Sequence, residues 1–270
     1  MKEHPEYSNL LLSNNLSSQN SVEHFFTTRN GGASNGDFST FNLGNFSDDN
    51  PIDIHENRQI LSRMWYMDIA DFIIPHQTHS SNVLIVDDDF LSLSSSSKID
   101  ALYGVDATIT NKKNFFLCAT TADCVPILLY DTKREVIAAV HAGWKGIIDL
   151  IIENTVDTMI ETYQCNPMDI VVAIGPSISI EHYEIGEDVV SLFKMNGIDL
   201  NTASRLNTKT NKLHIDLKRI SYNKLIDLGI PYHQIEVSEL CTYENTDLFF
   251  SARRQSVHCG RMLAGIKMKG

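Results

Sequence analysis

A series of short apolar segments between residues 115 and 174 constrains the fold of this chain most strongly. FFLCAT at 115–120, VPILLYD at 125–131 and EVIAAVHAGW at 135–144 have the length and composition of three successive strands. Apolar residues then recur at helical spacing, which predicts an amphipathic helix over 145–164. DIVVAI at 169–174 predicts a further strand. Strands that surround a helix in this way predict a mixed α/β layered domain.

The flanking sequence adds elements but no domain boundary. A strand-like run opens at residue 22, and helices are predicted near 186–195 and 217–228. The Ser-rich and Asn-rich residues 1–21 predict a loosely ordered N-terminal segment, and DDDFLSLSSSSKID at 87–100 predicts a solvated loop. Residues 22–270 are therefore predicted to form a single domain.

The charge balance limits the partners of the protein. Lys and Arg number 22 against 34 acidic residues, a net charge of −12. A strongly acidic chain disfavours broad binding to nucleic acid or to an anionic membrane, although a local basic pocket for a small anion stays compatible with it. No run approaches the roughly 20 apolar residues that a membrane span needs. We therefore expect a cytoplasmic protein with a small-molecule substrate, no nucleic-acid partner and no membrane partner, and the sequence gives no oligomeric state.

The five cysteines argue against a disulfide framework. They are odd in number, scattered, and without a CxxC pair. A cysteine that matters in this chain is expected to act as a thiolate.

Three ligand-type side chains lie at the ends of predicted elements. His79 precedes a predicted strand, Cys124 begins one, and His141 lies near the end of another. Two histidines and one cysteine fill three positions of a tetrahedral zinc site and leave the fourth open, which is the catalytic pattern. They are too far apart along the chain for a zinc finger, and buried cysteines and histidines are also common in ordinary cores. Spacing alone leaves both interpretations open.

Two neighbours of these residues have competing interpretations. His76 and His79 could form an HxxH pair on one helix face, but Gln77 and the following SSNV favour extended chain, so only one histidine should point inward. Asp123 could support Cys124 as a general base, yet an Asp in a short turn is more typical of a carboxylate that caps backbone N–H groups.

Several motifs, taken in order, resemble one protein family. They are FNLG at 41–44, NR at 57–58, HQTH at 76–79, TADCVPILLYD at 121–131, VHAGWKG at 140–146, AIGPSI at 173–178 and the C-terminal SARR…GR. This pattern resembles the YfiH family, also called the DUF152, laccase-domain or polyphenol oxidase family, from about residue 22 to the C-terminus. The resemblance implies a four-layer α/β sandwich with a single catalytic domain.

The resemblance also implies one Zn²⁺ per chain, bound by His79, Cys124 and His141, with Gln77 in the same motif and no organic cofactor. The chain departs from the family pattern at Ser80, where Gly often follows the histidine, and at Cys259, where Thr is common. Both departures are small and leave the implied metal ligands intact, so what the resemblance does not carry over is the fine substrate preference.

Family members have been linked to purine nucleoside phosphorylase activity on adenosine, inosine, guanosine or methylthioadenosine, and to adenosine deamination. A nucleoside substrate with phosphate as co-substrate is therefore expected. Arg29, Arg58 and Lys145 are candidate phosphate ligands, since a guanidinium offers a bidentate fork and an ammonium a point charge. Asn42 is a candidate ribose or phosphate contact, and Cys124 and Asp123 are candidate catalytic residues. An isolated basic residue is more often a solvated surface charge.

Other functions remain open at this stage. A copper laccase needs HxH pairs, and the ten histidines form none. A cysteine hydrolase would use Cys124 as nucleophile, His141 as base and Asp123 to orient it. Editing of peptidoglycan precursors and a non-catalytic binding role are further alternatives.

Overall fold

The computed structural model describes residues 1–45 and 47–270 of the chain. The strands are β1 Lys2–Glu3, β2 Leu10–Leu12, β3 Val22–Thr27, β4 Phe72–Ile73, β5 Val83–Ile85, β6 Ala107–Thr110, β7 Phe116–Thr121, β8 Val125–Asp131, β9 Val136–Ala142, β10 Ile170–Ile174, β11 Glu184–Ile185, β12 Ser204–Asn207, β13 Lys212–Ile215, β14 Ile235–Val237 and β15 Met262–Met268. The α-helices are α1 Asn14–Ser17, α2 Pro51–Met64, α3 Asp88–Ser92, α4 Ser95–Ala101, α5 Trp144–Ile148, α6 Ile151–Tyr163, α7 Glu187–Met195, α8 Leu217–Asp227 and α9 Ala252–Gln255.

Most strands of the described residues form two six-stranded sheets. The first has the order β1-β2-β3-β15-β7-β4 and the second β14-β10-β8-β9-β6-β5. A smaller sheet has the order β11-β13-β12. Strands β8 and β9 pair antiparallel, with Val125 opposite Ala142. This register brings the start of β8 beside the end of β9, which is where the sequence predicts two of the metal ligands.

Three apolar clusters show how the layers pack. Between the two sheets lie side chains such as Leu117 from the first sheet and Leu128 from the second. The other face of the second sheet packs against α6 and α8, and the other face of the first sheet packs against Leu61 of α2. The order is therefore helix, sheet, sheet, helices, and the expected four-layer α/β sandwich is confirmed.

Burial of both faces explains why the central strands lack an alternating pattern. All seven residues of β8 and all seven of β9 are buried. A strand covered on two sides is apolar throughout, so its sequence is a continuous apolar run. The predicted strands over 115–120, 125–131, 135–144 and 169–174 are confirmed, with ends that differ by one or two residues.

The single helix predicted over 145–164 is wrong, because the chain breaks into α5 and α6. Leu150 between them has a left-handed backbone with φ 69°, which interrupts the helical hydrogen-bond ladder. Apolar spacing continues through the break, since Ile147, Ile148, Ile151 and Ile152 are all buried in the same cluster. The periodicity therefore could not reveal the change in chain direction. The helices predicted near 186–195 and 217–228 are confirmed as α7 and α8.

The solvated loop predicted over 87–100 is also wrong, because this segment forms α3 and α4. The Asp87 carboxylate accepts a hydrogen bond from the Phe90 N–H, and the Ser94 hydroxyl accepts one from the Ser97 N–H. Aspartate and serine, which suggest a loop by composition, act here as helix N-caps. Phe90 is buried between the sheets at 4% exposure.

The N-terminal segment 1–21 contributes to the first sheet. Strand β2 pairs antiparallel with β3, and Leu10 and Leu16 are fully buried. The Ser13 N–H donates to Nε2 of buried His24. These contacts attach the segment to the sheet, and the division of the chain at residue 22 stays a prediction.

Replacing Phe90 tests whether the 87–100 segment is part of the core. Phe90→Ala should lower the free energy of unfolding by about 3 to 5 kcal/mol, since it removes a buried aromatic ring and leaves a cavity. Ile99→Ala is the control, because Ile99 of α4 is 68% exposed and its loss should cost less than about 0.5 kcal/mol. Urea denaturation followed by circular dichroism measures both, and equal values for the two variants would contradict the packing described.

Candidate metal centre

Three elements bring His79, Cys124 and His141 together. His79 lies in the loop before β5, Cys124 directly precedes β8, and His141 is the penultimate residue of β9. One ligand atom from each lies within 4.8 Å of the others. His141 is buried, Cys124 is partly exposed, and His79 is exposed at the edge. His76 lines the same cleft but is not one of the three clustered ligands, and its ring lies against Tyr103. Residues 76–79 form no helix, so the HxxH helix-face pair is excluded, although His79 has a left-handed backbone instead of the extended chain predicted there.

The donor geometry fits a metal ion. The Cys124 Sγ lies 3.7 Å from the His79 Nε2. Tetrahedral zinc–sulfur and zinc–nitrogen bond lengths require a separation of roughly 3.6 Å between two such donors. Two imidazoles and one thiolate therefore have the spacing of a three-ligand site with one position left over, and a sulfur donor favours zinc or copper over magnesium or calcium.

The Asp106 carboxylate orients two of the three ligands. It lies 2.7 Å from the His141 Nδ1, an arrangement that directs the Nε2 of this ring towards the other ligands. The same carboxylate accepts hydrogen bonds from the backbone N–H groups of Thr78, His79 and Ser80. His79 itself has a left-handed backbone, with φ 62°, which is strained for a non-glycine residue. The bonds to Asp106 hold the loop in this conformation.

Charge interactions favour the thiolate form of Cys124. Burial opposes ionisation, but neighbouring His141 and His79 outweigh it and lower the Cys124 pKa to about 6. For His141, burial favours the neutral ring, while Cys124 and Asp106 raise its pKa to about 9. Burial likewise opposes ionisation of Asp106, yet its hydrogen bonds to His141 and Ser80 lower its pKa to about 2. A thiolate is the form in which cysteine binds metals.

Gly143 of the HAGW motif leaves room for the centre. A Cβ atom at this position would lie 2.7 Å from the His79 Cδ2 and 3.2 Å from the Cys124 Sγ. Any larger residue would displace the His79 ring. The glycine is therefore explained by the close approach of the backbone to two metal ligands.

The three ligands line a cleft of about 570 Å³. Trp144, Tyr183, Arg253 and Arg261 also line the cleft, together with Asp123. Burial raises the pKa of Tyr183, so its phenol stays protonated at neutral pH. The cleft thus combines a metal-ligand cluster, flat aromatic surfaces and positive charge.

A larger groove of about 880 Å³ lies elsewhere, along α8 and the turns that follow α7 and α8. Its lining includes the Lys224–Glu153 ion pair. The cluster of three ligand-type residues found within residues 1–45 and 47–270 is not part of it. We therefore place the chemistry in the smaller cleft.

The predicted substrate contacts divide between the cleft and other parts of the chain. Gln77 lines the cleft, but its side-chain amide bonds the backbone of Thr120, accepting from the N–H and donating to the carbonyl. Lys145 is exposed on α5 and is not among the cleft-lining residues. Its ammonium group lies 5.6 Å from the Trp144 ring. The role of both in substrate binding stays a prediction.

Asn42, Arg58 and Arg29 lie outside the cleft lining. Asn42 is fully buried, and its side-chain oxygen accepts from the backbone N–H groups of Gly44 and Arg261. Arg58 donates to the Leu43 carbonyl, and burial lowers its pKa to about 10. Arg29 donates to two backbone carbonyl groups and lies over the Phe250 ring. The described contacts of these three residues are all within the protein.

Asp123 binds the C-terminal segment rather than a metal ligand. Its carboxylate accepts hydrogen bonds from the hydroxyls of Thr242 and Ser251 and from the backbone N–H of Arg253. Asp123 therefore caps a backbone N–H group, as predicted, but this group belongs to Arg253, far along the chain, and not to the local turn. The orientation of His141, assigned to Asp123 in the hydrolase hypothesis, belongs to Asp106.

Sequence reasoning missed Asp106, Tyr183, Arg253 and Arg261. A signal existed for Asp106, because a lone carboxylate directly before the apolar strand β6 is unusual unless it has partners. The two arginines lie within the SARR…GR motif and were assigned no role. Nothing in the local sequence points to Tyr183, since its position in the cleft depends on tertiary packing.

The role of Asp106 predicts a loss of metal affinity in Asp106→Asn. The amide cannot accept from His141 and three backbone N–H groups at once, so metal affinity should fall about 10-fold to 100-fold. Asp131→Asn is the matched control, because Asp131 is also buried and accepts from backbone N–H groups, but in a distant turn. Competition between the protein and a chromogenic chelator for added Zn²⁺ measures both. Equal affinities in the two variants would remove Asp106 from the centre.

Membrane insertion through a helix finds no support in the described residues, since none of their helices is long and apolar enough to span a bilayer.

Comparison with known proteins places this geometry in one family. Residues 23–269 match the family model described as multi-copper polyphenol oxidoreductase laccase. The chain is 41% identical to a protein named purine nucleoside phosphorylase from Bacteroides thetaiotaomicron, with 93% of each chain covered. It is 35% identical to adenosine deaminase RL5 from an unknown prokaryotic organism, with 92% of this chain and 94% of that protein covered. The crystal structure of the Bacillus licheniformis hypothetical protein YfiH superposes with a TM-score of 0.90 at 32% identity, covering 98% of both chains. The chain belongs to the YfiH or DUF152 family of laccase-domain proteins.

Proposed function

We propose that this protein is a zinc-dependent purine nucleoside enzyme that cleaves nucleosides with phosphate and deaminates adenosine. The observation that carries the proposal is the cleft in which His79, Cys124 and His141 lie together with aromatic rings and guanidinium groups. Two relatives that span nearly the whole chain are named purine nucleoside phosphorylase and adenosine deaminase. These names support a purine nucleoside substrate, whose flat base suits the aromatic side chains of the cleft.

The three ligands would hold one Zn²⁺ ion and leave one coordination position open. In such an open site, zinc activates water and polarises oxygen atoms of a substrate. No organic cofactor is needed for either reaction, since each exchanges one bond to carbon for another. In phosphorolysis the bond between ribose and base breaks as a phosphate oxygen bonds to the ribose carbon.

The side chains of the cleft have distinct tasks in this proposal. Asp106 holds His141 in the orientation that presents its Nε2 to the cleft. Trp144 offers a flat surface against which a purine can stack. Tyr183, protonated at neutral pH, can donate its O–H to a substrate oxygen or ring nitrogen. Cys124 serves as a metal ligand, and Asp123 supports it by fixing the turn in which it lies.

Copper-dependent laccase activity is not favoured, despite the description of the family model. A laccase needs several copper ions, held by a blue-copper site and a histidine-rich cluster. Within the described part of the chain, a single group of three metal-ligating residues comes together.

A cysteine hydrolase is the second candidate, and one observation favours it. Cys124, His141 and Asp106 follow one another as nucleophile, base and orienting carboxylate would. The position of His79 argues against a hydrolase, because its Nε2 lies 3.7 Å from the Cys124 sulfur. A metal ion bound by both residues would hold the thiolate and keep it from acting as a nucleophile. Metal content and substrate specificity separate the two candidates.

Metal analysis tests the first part of the proposal. The purified protein should contain one Zn²⁺ per chain, and Cys124→Ala should lose it because the softest ligand is removed. Cys165→Ala is the control, since Cys165 is a buried cysteine outside the cleft. Elemental analysis that finds copper in the wild type, or unchanged zinc in Cys124→Ala, would contradict the assignment.

A nucleoside panel tests the second part. Zinc-loaded protein should release free base from adenosine or inosine only with phosphate present and yield ribose 1-phosphate. Without phosphate it should convert adenosine to inosine. His79→Ala, Cys124→Ala and His141→Ala should each lower both activities at least about 100-fold, because one metal serves both reactions. Mass spectrometry of the products measures each step.

Three outcomes would contradict this function. Retained turnover in all three variants would assign the activity to a contaminant or to another site. Phenol oxidation above that of free copper salt would favour a laccase. Cleavage of amide substrates by zinc-free protein, lost in Cys124→Ala, would establish the cysteine hydrolase.

A further inference from the structure

The geometry points to Arg253 and Arg261 as the subsite that binds phosphate in the cleft, each set in place by a buried polar side chain of a different motif. This inference rests on the proposed function, because it assigns the co-substrate of that reaction to particular residues. The ligand is inorganic phosphate, a dianion whose oxygens match the N–H fork of a guanidinium.

Arg253 is an exposed guanidinium on the wall of the cleft. It lies over the Tyr183 ring at 5.0 Å, and its Nη1 donates 2.8 Å to the Glu184 carbonyl. The carboxylate of Glu184 does not neutralise it, since this group contacts Thr210 and Lys212 instead. Among the described residues no ion pair to Arg253 is found. The side chain is thus held in place by a ring and a carbonyl while its charge stays available to an anion.

Arg261 supplies the second charge. Its Nη1 and Nη2 donate to the backbone carbonyl groups of Cys259, Gly260 and Val257. These contacts fix the guanidinium without a carboxylate partner in the described part of the chain. The aliphatic carbons of Arg261 pack against Gly44. A Cβ atom added at Gly44 would lie 2.7 Å from the Arg261 Cγ. The glycine of the FNLG motif therefore makes room for this side chain.

Two motif residues hold the backbones of these arginines. The Asp123 carboxylate accepts from the Arg253 N–H at 2.7 Å, and the Asn42 side-chain oxygen accepts from the Arg261 N–H at 2.9 Å. Both polar side chains are buried, at 7% and 0% exposure, and a buried polar group with several partners fixes its neighbours firmly. Asp123 and Asn42 act as positioning residues for the subsite rather than as contacts with substrate.

The basic residues selected from the sequence are less suited to this role. Arg29, Arg58 and Lys145 are not among the residues that line the cleft of the metal ligands, whereas Arg253 and Arg261 are. Arg253 and Arg261 are the arginines that line the cleft of the metal ligands, in a chain whose net charge is −12. Such a local positive field attracts a phosphate ion to the same space as the metal ligands.

Calorimetric titration of the metal-loaded protein with inorganic phosphate tests the subsite without relying on turnover. Arg253→Gln should raise the Kd about 10-fold to 100-fold, the range for loss of a charge-assisted hydrogen bond. Arg253→Lys should recover part of the loss. Arg219→Gln is the matched control, since Arg219 is also exposed and lies over a tyrosine ring, Tyr222, outside the cleft; its Kd should equal that of the wild type. Circular dichroism checks that each variant is folded.

Several outcomes would overturn the inference. The first is an unchanged Kd for phosphate in Arg253→Gln, and the second is a Kd that rises in Arg58→Ala instead. The third is phosphate binding that disappears in Cys124→Ala but persists in Arg253→Gln, because the metal alone would then bind the anion. Binding of adenosine 5′-monophosphate through Arg253 without binding of inorganic phosphate would also overturn it, since the subsite would then serve a phosphate ester.

Kinetics separate this inference from the proposed function. Phosphorolysis with an unchanged KM for phosphate in Arg253→Gln would refute the subsite and leave the function intact. Arg253-dependent phosphate binding without any nucleoside cleavage in the wild type would establish the subsite and refute the function.

Discussion

The buried carboxylate of Asp106 is the interaction on which the metal centre depends. It lies beside the His141 ring and accepts hydrogen bonds from three successive N–H groups of the loop that carries His79. A carboxylate at 1% exposure would be costly without such partners, because burial removes its hydration. One side chain thereby joins a rigid strand to an irregular loop. The separation of two metal ligands follows from this single group.

Buried polar side chains that bind backbone N–H groups also occur elsewhere around the cleft. Asp123 and Asn42 are buried polar side chains that accept hydrogen bonds from the backbone N–H groups of Arg253 and Arg261 respectively. Each joins parts of the chain that are more than 100 residues apart. Buried polar groups of this kind fix one arrangement of their neighbours, since any other arrangement leaves them without partners. The cleft is therefore built from loops but held by buried hydrogen bonds.

The two central sheets supply the rigid part of the site. Cys124 and His141 lie at adjacent strand ends because β8 and β9 pair in a single register, and a shift of one residue would send their side chains to opposite faces. Apolar packing on both sides of these strands makes such a shift costly. The third ligand, His79, comes from the loop before β5, outside this hairpin, and lines the cleft with the other two.

The sequence by itself determined the central strands, the helices α7 and α8, and the identity of the three ligand-type residues. Apolar runs and periodicity record burial directly, and histidine and cysteine at strand ends are visible as residue types. It did not determine the break at Leu150 or the helices within 87–100, because the apolar spacing continues through the former and the same serines serve loops and N-caps alike. Only the tertiary structure decided that Asp106 orients His141, that Asp123 and Asn42 hold distant arginines, and that Arg58 donates to the Leu43 carbonyl away from the cleft. Hydrogen bonds between distant residues leave no periodic signal, since each depends on where the whole chain has placed its two partners.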